Sequence, residues 1–218
     1  MVKLNIIIAG VGGQGVELAS DILGEVALET GLAVKKMDTQ GIAQHDGSIV
    51  TQLRIGDEVA APLTGEDEAD ILLAFEKGEA ARLSDYLRLG ASAVVNDLTI
   101  PPLSISPGGE SFPKDDEITD ILSNSAATVM LINGSQRVAE MGGHTVLNAF
   151  MLGALSMLLP FNPELWEKVI ARRLPPKILD INLAAFKQGR RDMLEVFSAI
   201  QDEDSCDTET QDDDCGCH

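Results

Sequence analysis

The run Ile6-Ile-Ile-Ala-Gly-Val-Gly-Gly-Gln-Gly-Val16 constrains the fold more than any other stretch of this chain. It opens as a short, unbroken apolar segment, which reads as a strand covered on both faces. Gly10, Gly12 and Gly15 follow at G-x-G-x-x-G spacing. Val16, Ala19, Ile22, Leu23, Val26 and Ala27 then recur at helical spacing, and Gly31 supplies a stop signal. In a dinucleotide site such glycines give a tight turn, close backbone approach and helix–strand packing. An acid about 20 residues on would hold the ribose, a place that Asp38 fills. The same loop also fits anion binding by backbone N–H groups at a helix N-terminus, or a tight turn packed against a partner.

The rest of the chain keeps the alternation. Leu32 to Met37 reads as a second strand running parallel to the first. Ile49, Thr51, Leu53 and Ile55 alternate with Val50, Gln52 and Arg54, a half-buried strand over 48–55. Further strands are expected over 71–75, 93–96 and 128–132, with helices near 78–89 and 117–123. Five prolines and glycines between Pro101 and Gly109, with Pro113 beyond, make the middle irregular. From Gly134 the pattern turns helical: Asn162-Pro163-Glu164 is an N-cap with Pro at the first helical position, and Pro175-Pro176 separates that helix from a last one over 179–200. The expected class is α/β, three-layer, with a mostly parallel sheet flanked by helices and a helical C-terminal layer.

Charge and cysteine usage exclude several roles. A net charge of −19 argues against unaided binding of nucleic acid or an anionic membrane. Residues 201–218 hold eight acids and no Lys or Arg, so that segment is expected to be a disordered tail appended to a domain over 1–200. All three cysteines lie in it. Cys206, Cys215, Cys217 and His218 are a ligand set for zinc or another soft metal, at a spacing that matches no closed site. With no thiol before Cys206, the body has no disulfide framework and no iron–sulfur ligands. No leader pattern opens the chain, and the longest apolar segment, Thr145 to Leu159, is too short to span a bilayer. A cytoplasmic protein is expected.

Several ordered motifs carry a resemblance. The glycine loop, Gly41-Ile-Ala-Gln-His-Asp-Gly-Ser48, Val50-Thr-Gln-Leu-Arg-Ile-Gly56, Asp70-Ile-Leu-Leu-Ala-Phe-Glu76, Asn148 within an apolar helix and Pro175-Pro-Lys-Ile-Leu-Asp-Ile-Asn182 resemble the gamma-type domain of the 2-oxoacid:ferredoxin oxidoreductases, within it the small subunits of indolepyruvate or arylpyruvate type. The resemblance runs over residues 3–197. It implies a subunit that binds no cofactor alone and is inactive by itself. A large partner would hold thiamine diphosphate, Mg2+ and 4Fe-4S clusters, with coenzyme A as co-substrate and ferredoxin reached indirectly. It implies no catalytic residue in this chain. Gly12, Gly13, Gln14, Gly15, Gln40, Gln44, His45 and Arg54 become candidate contacts to coenzyme A or to the partner's active site. Arg54 also reads as a plain strand-surface ion pair, and His144 as an interface or capping residue. The apolar stretch from Val146 to Leu159 suggests a surface for the partner or for a second copy.

Two other readings stand beside this one. The motif departs from the family at Gln40, His45 and Asp46, which suits a non-catalytic scaffold or regulatory paralogue. A stand-alone Rossmann dehydrogenase would need an acid–base group, for which the body offers only His45 and His144.

Overall fold

A computed structural model describes residues 2–40, 47–100, 113–125 and 127–209. Six strands form one sheet: β1 (Lys3–Val11), β2 (Ala33–Gln40), β3 (Ser48–Gly56), β4 (Ala69–Ala74), β5 (Leu87–Asn96) and β6 (Ala127–Ile132). Seven helices accompany them: α1 (Val16–Glu29), α2 (Lys77–Arg82), α3 (Asp115–Ser123), α4 (Gly134–Ala139), α5 (Leu147–Leu155), α6 (Pro163–Arg173) and α7 (Pro176–Glu209). Strand order is β2-β3-β1-β4-β5-β6. β1, β4, β5 and β6 pair in parallel, whereas β3 lies antiparallel between β1 and β2. The mostly parallel α/β sheet is therefore present. β2 does run in the same direction as β1, but β3 separates them.

Period-2 patterning puts alternate residues into two cores. Ile6, Ile8, Leu53, Ile71, Leu73, Val94 and Met130 face α1, α5, α6 and α7. Ile7, Ala9, Leu72, Ala74, Ala93 and Val95 face the smaller layer of α2 and α3. Gly31, at φ +85°, follows α1 and donates its N–H to the Leu28 carbonyl, as its stop signal implies. Asn162 caps α6 by accepting from the Glu164 N–H at 2.9 Å.

Three expectations need correction. The helix expected over 78–89 ends at Arg82, and β5 begins at Leu87. Leu83 and Leu87 mimic helical spacing, but Leu87 is buried against the sheet and pairs with Ala69. Gly90, at φ +74°, lies in an irregularity where β4 advances from Ala69 to Ile71 while β5 advances from Leu87 to Ser92.

The apolar segment 146–159 is not a free surface either. All nine residues of α5 are buried, between the sheet and α7. A Cβ on Gly153 would overlap the Phe186 carbonyl, and one on Gly189 would overlap the Phe150 carbonyl. The two helices cross so closely that α7 takes the face expected to meet a partner. α7 itself continues to Glu209, so backbone helix occupies 201–209, where the acidic composition suggested disorder. Among the described residues no helix is long and apolar enough to cross a membrane.

Candidate functional site

β1, β4, β5 and β6 end along one edge of the sheet. α1 leaves β1 toward one face, and α2 leaves β4 toward the other. That divergence makes the β1/β4 boundary a topological switch point, where open α/β sheets place their ligands.

The glycine loop is built at this point. Gly13 and Gly15 have φ of +91° and +80°, a left-handed conformation that side chains disfavour. A Cβ on Gly10 would come within 2.6 Å of Gln14 Oε1 and 2.9 Å of Val16 Cγ2, so only glycine fits beneath the loop. Gln14 folds back across the crevice. Its Oε1 accepts from the Val11 N–H at 2.7 Å, and its Nε2 donates to the Phe75 carbonyl at 3.2 Å. Asn96, fully buried, donates to the same carbonyl at 2.9 Å and to Ser135 Oγ at 2.8 Å. Its Oδ1 accepts from the Ser135 N–H at 3.0 Å, which caps the start of α4.

Next to these, buried Glu76 caps α2 by accepting from the Glu79 N–H at 2.7 Å and holds Ile100 by accepting its N–H at 3.0 Å. Lys77 places its ammonium 2.7 Å from Asp97 and 2.6 Å from Asp115. Burial alone would pull Lys77 down; its bonds to Asp115 and Asp97 more than offset this, and the group sits above the usual lysine value. The Lys77 and Thr99 hydrogen bonds hold Asp115 below the usual carboxylate range.

The dinucleotide reading loses its two requirements here. Gln14 fills the crevice that a pyrophosphate would cross. Asp38 is two strands from β1, about 10 Å rather than 5 Å away. It accepts from Thr51 Oγ1 at 2.6 Å and lies 3.3 Å from Lys36 Nζ, engaged within the sheet rather than aimed at the loop.

The candidate contacts separate as well. Gly12, Gly13, Gln14 and Gly15 form the loop, and the Gly12 N–H donates to the Gly47 carbonyl at 3.0 Å. That bond brings Gly47, the residue before β3, beside the glycines. Gln44 and His45 lie outside the described residues. Gln40 ends β2 and pairs with Ile49, at the same edge. Arg54 does not belong there. It pairs with Asn5 near the opposite end of β1, about 20 Å from Val11. Its Nε donates to Asn5 Oδ1 at 3.0 Å and its Nη1 to the Leu63 carbonyl at 2.8 Å, which fastens the loop after β3. His144 is exposed and opens a single 3-10 turn ahead of α5.

Glu76 and Asn96 stand at this edge, and sequence reasoning did not assign them to the site. The signal was available: each ends an apolar strand run. Among the described residues no group of three His, Cys, Asp or Glu side chains is placed to hold a metal ion. Cys215, Cys217 and His218 lie outside the described residues, and Cys206 falls in the helical backbone of α7.

Comparison with known proteins gives this fold a lineage. The chain is 34% identical over 192 residues to the indolepyruvate oxidoreductase subunit IorB of Thermococcus kodakarensis, covering 87% of this chain and 95% of that one. The keto/oxoacid ferredoxin oxidoreductase gamma subunit of Geobacter sulfurreducens shares the fold, with a TM-score of 0.68 at 23% identity over 88% of this chain and 99% of that one. The 2-oxoglutarate:ferredoxin oxidoreductase of Magnetococcus marinus, solved with 2-oxoglutarate, coenzyme A and succinyl-CoA bound, matches with a TM-score of 0.69 at 25% identity over 89% of this chain and 32% of that one. A family model described as pyruvate ferredoxin/flavodoxin oxidoreductase matches residues 5–191, and to that family the chain belongs.

Proposed function

We propose that this chain is the small subunit of a heteromeric, coenzyme A-dependent 2-oxoacid:ferredoxin oxidoreductase of indolepyruvate or arylpyruvate type, working in the cytoplasm. The observation that carries the reading is the 34% identity spread over 95% of the Thermococcus kodakarensis indolepyruvate oxidoreductase subunit. Coenzyme A bound in the Magnetococcus marinus enzyme supports an acyl-acceptor role for the complex.

Residues 1–200 do not fit an iron–sulfur cluster, because they contain no cysteine. They offer thiamine diphosphate no metal-binding cluster among the described residues. Decarboxylation and electron transfer therefore belong to a large partner subunit. This chain's share is shape: Gly12, Gly13 and Gly15 with Gln40 and Gly47 form one wall of the shared pocket. Ferredoxin meets the partner, not this chain.

Reconstitution tests the proposal. Indolepyruvate- and coenzyme A-dependent viologen reduction is expected only when both subunits are mixed, with neither active alone. Equal turnover by the large subunit without this chain would reduce it to a scaffold.

A further inference from the structure

The outer strands of the sheet are β2 and β6, and β2 is the longer. Its eight residues pair with β3 in an unbroken register, from Ala33 opposite Gly56 to Gln40 opposite Ile49. The strand has no proline and no bulge, two devices that keep sheet edges from pairing with another chain. A third device is charge, and here it is mostly neutralised within the chain. Lys36 Nζ lies 2.6 Å from Asp21 and 3.3 Å from Asp38. Among the described residues Lys35 is the one charge on β2 without an ion pair.

The edge also carries apolar surface on both faces. Val34, Lys36 and Asp38 share the face of Leu53 and Ile55, which α1 covers. On that side a hollow of about 290 Å3 adjoins β2, with Gly24, Leu28, Val34 and Leu53 in its lining. Leu28 at its lip is 56% exposed. Lys35, Met37 and Thr39 share the other face, where Met37 is 37% exposed.

We infer that β2 pairs antiparallel with β2 of a second copy, about a two-fold axis at Met37, so that one sheet runs through both chains. Pleat and charge select this register. Side chains alternate between faces, so an axis perpendicular to the sheet must pass beside a residue rather than between two. Centred on Lys35 or Lys36, it opposes ammonium groups; centred on Asp38, it opposes carboxylates, and like charges directly opposite are destabilising. Centred on Val34 or Thr39, it pairs fewer residues. Centred on Met37, it sets Met37 against its own copy, Lys36 against the second copy's Asp38 on both sides, and Lys35 against Thr39. The two Lys35 side chains then stand about 14 Å apart along the strands. The contact is isologous, and it brings the second copy's α1 alongside the hollow at Gly24 and Leu28. The net charge of −19 repels a second copy at long range, and about 0.15 M salt screens that repulsion beyond about 8 Å. The pairing does not depend on the subunit role.

Sedimentation velocity of the full chain in about 0.15 M salt, from about 1 μM to about 200 μM, is expected to show a monomer–dimer equilibrium. Met37→Lys, at an exposed position, sets two ammonium groups at the axis and should weaken the dimer about tenfold with an unchanged circular dichroism spectrum. Cross-linking reads the register in a Cys206→Ser, Cys215→Ser, Cys217→Ser background. There Met37→Cys should give a disulfide-linked dimer on oxidation, because opposite Cα atoms of an antiparallel pair lie about 5 Å apart. Lys35→Cys should not link to itself, but should link to Thr39→Cys on a second chain. A parent that stays monomeric overturns the inference. So does a dimer that folded Met37→Lys leaves intact, that Met37→Cys does not link, or that Lys35→Cys links to itself. A monomeric parent whose Met37→Lys variant loses the large subunit gives the edge to that subunit, and overturns it as well. Reconstituted activity reads the subunit role separately: a Met37-linked dimer beside an inactive mixture would refute that role and leave the pairing intact.

Discussion

The turn from β4 into α2 and the turn from β1 into α1 are neighbours on one sheet edge, yet they solve the same problem in opposite ways. At β4–α2 the sequence ends its strand with Glu76, whose carboxylate caps the helix and holds the next loop at Ile100. At β1–α1 it ends the strand with glycines and leaves the helix start open. The polar side chain of that loop, Gln14, faces backward to brace Val11 and Phe75. A closed turn stabilises its own backbone. An open one leaves its helix start without a side-chain cap, and its rigidity has to come from neighbours.

The comparison breaks most severely at Gly10. Gly10→Val drives a branched side chain into Gln14, Val16 and Phe75, and overpacking of this kind costs about 3 kcal/mol. Chemical denaturation should show it, and the glycine loop should be the region whose amide exchange speeds up most. Asn96→Ala comes next. It strips the Ser135 N–H of its acceptor in a fully buried position, for about 2 kcal/mol measured the same way. Gln14→Ala sharpens the contrast. The Phe75 carbonyl keeps Asn96, and only the part-buried Val11 N–H loses its acceptor, so the loss should be about 1 kcal/mol. If Gln14→Ala proved as costly as Asn96→Ala, the two turns would not differ in the way described.

These side chains also mark the limit of what the sequence discloses. The apolar run, the glycine spacing and the helical recurrence from Val16 to Ala27 are local signals, and each produced the element expected. Insertion of β3 between β1 and β2 is a choice of neighbours, and no local pattern encodes it. Asp38 therefore looked like a ribose ligand by its distance along the chain alone. The bond from Gln14 to Phe75 spans 61 residues and is invisible to any window. α5 read as an unpaired apolar face because its cover, α7, starts some twenty residues later; the small residues that seat them, Gly153 and Gly189, have meaning only as a pair. The resemblance supplied what periodicity left open, but it grouped Arg54 with the loop, and the antiparallel register of β3 carries Arg54 to the far end.

The smallest expected effect concerns the closed turn and pH. Lys77 ties α2 to Asp97 and to Asp115 at the start of α3. Asp115 is held below its ordinary value, so its contribution is present above about pH 4 and fades as pH falls through the depressed value. Lys77 is held above its ordinary value of 10.5, so its contribution is complete below that pH and fades as pH rises through the raised one. The tie is therefore intact across the neutral range and weakens at both extremes. Melting temperatures taken from about pH 3 to about pH 6 should fall at the acid end in the parent chain. Asp115→Asn should melt lower at pH 6 and show a shallower acid limb. Among the described residues the open turn has no such pair, so a steeper acid limb confined to the amides of α1 would place the pH sensitivity on the wrong side of the switch point.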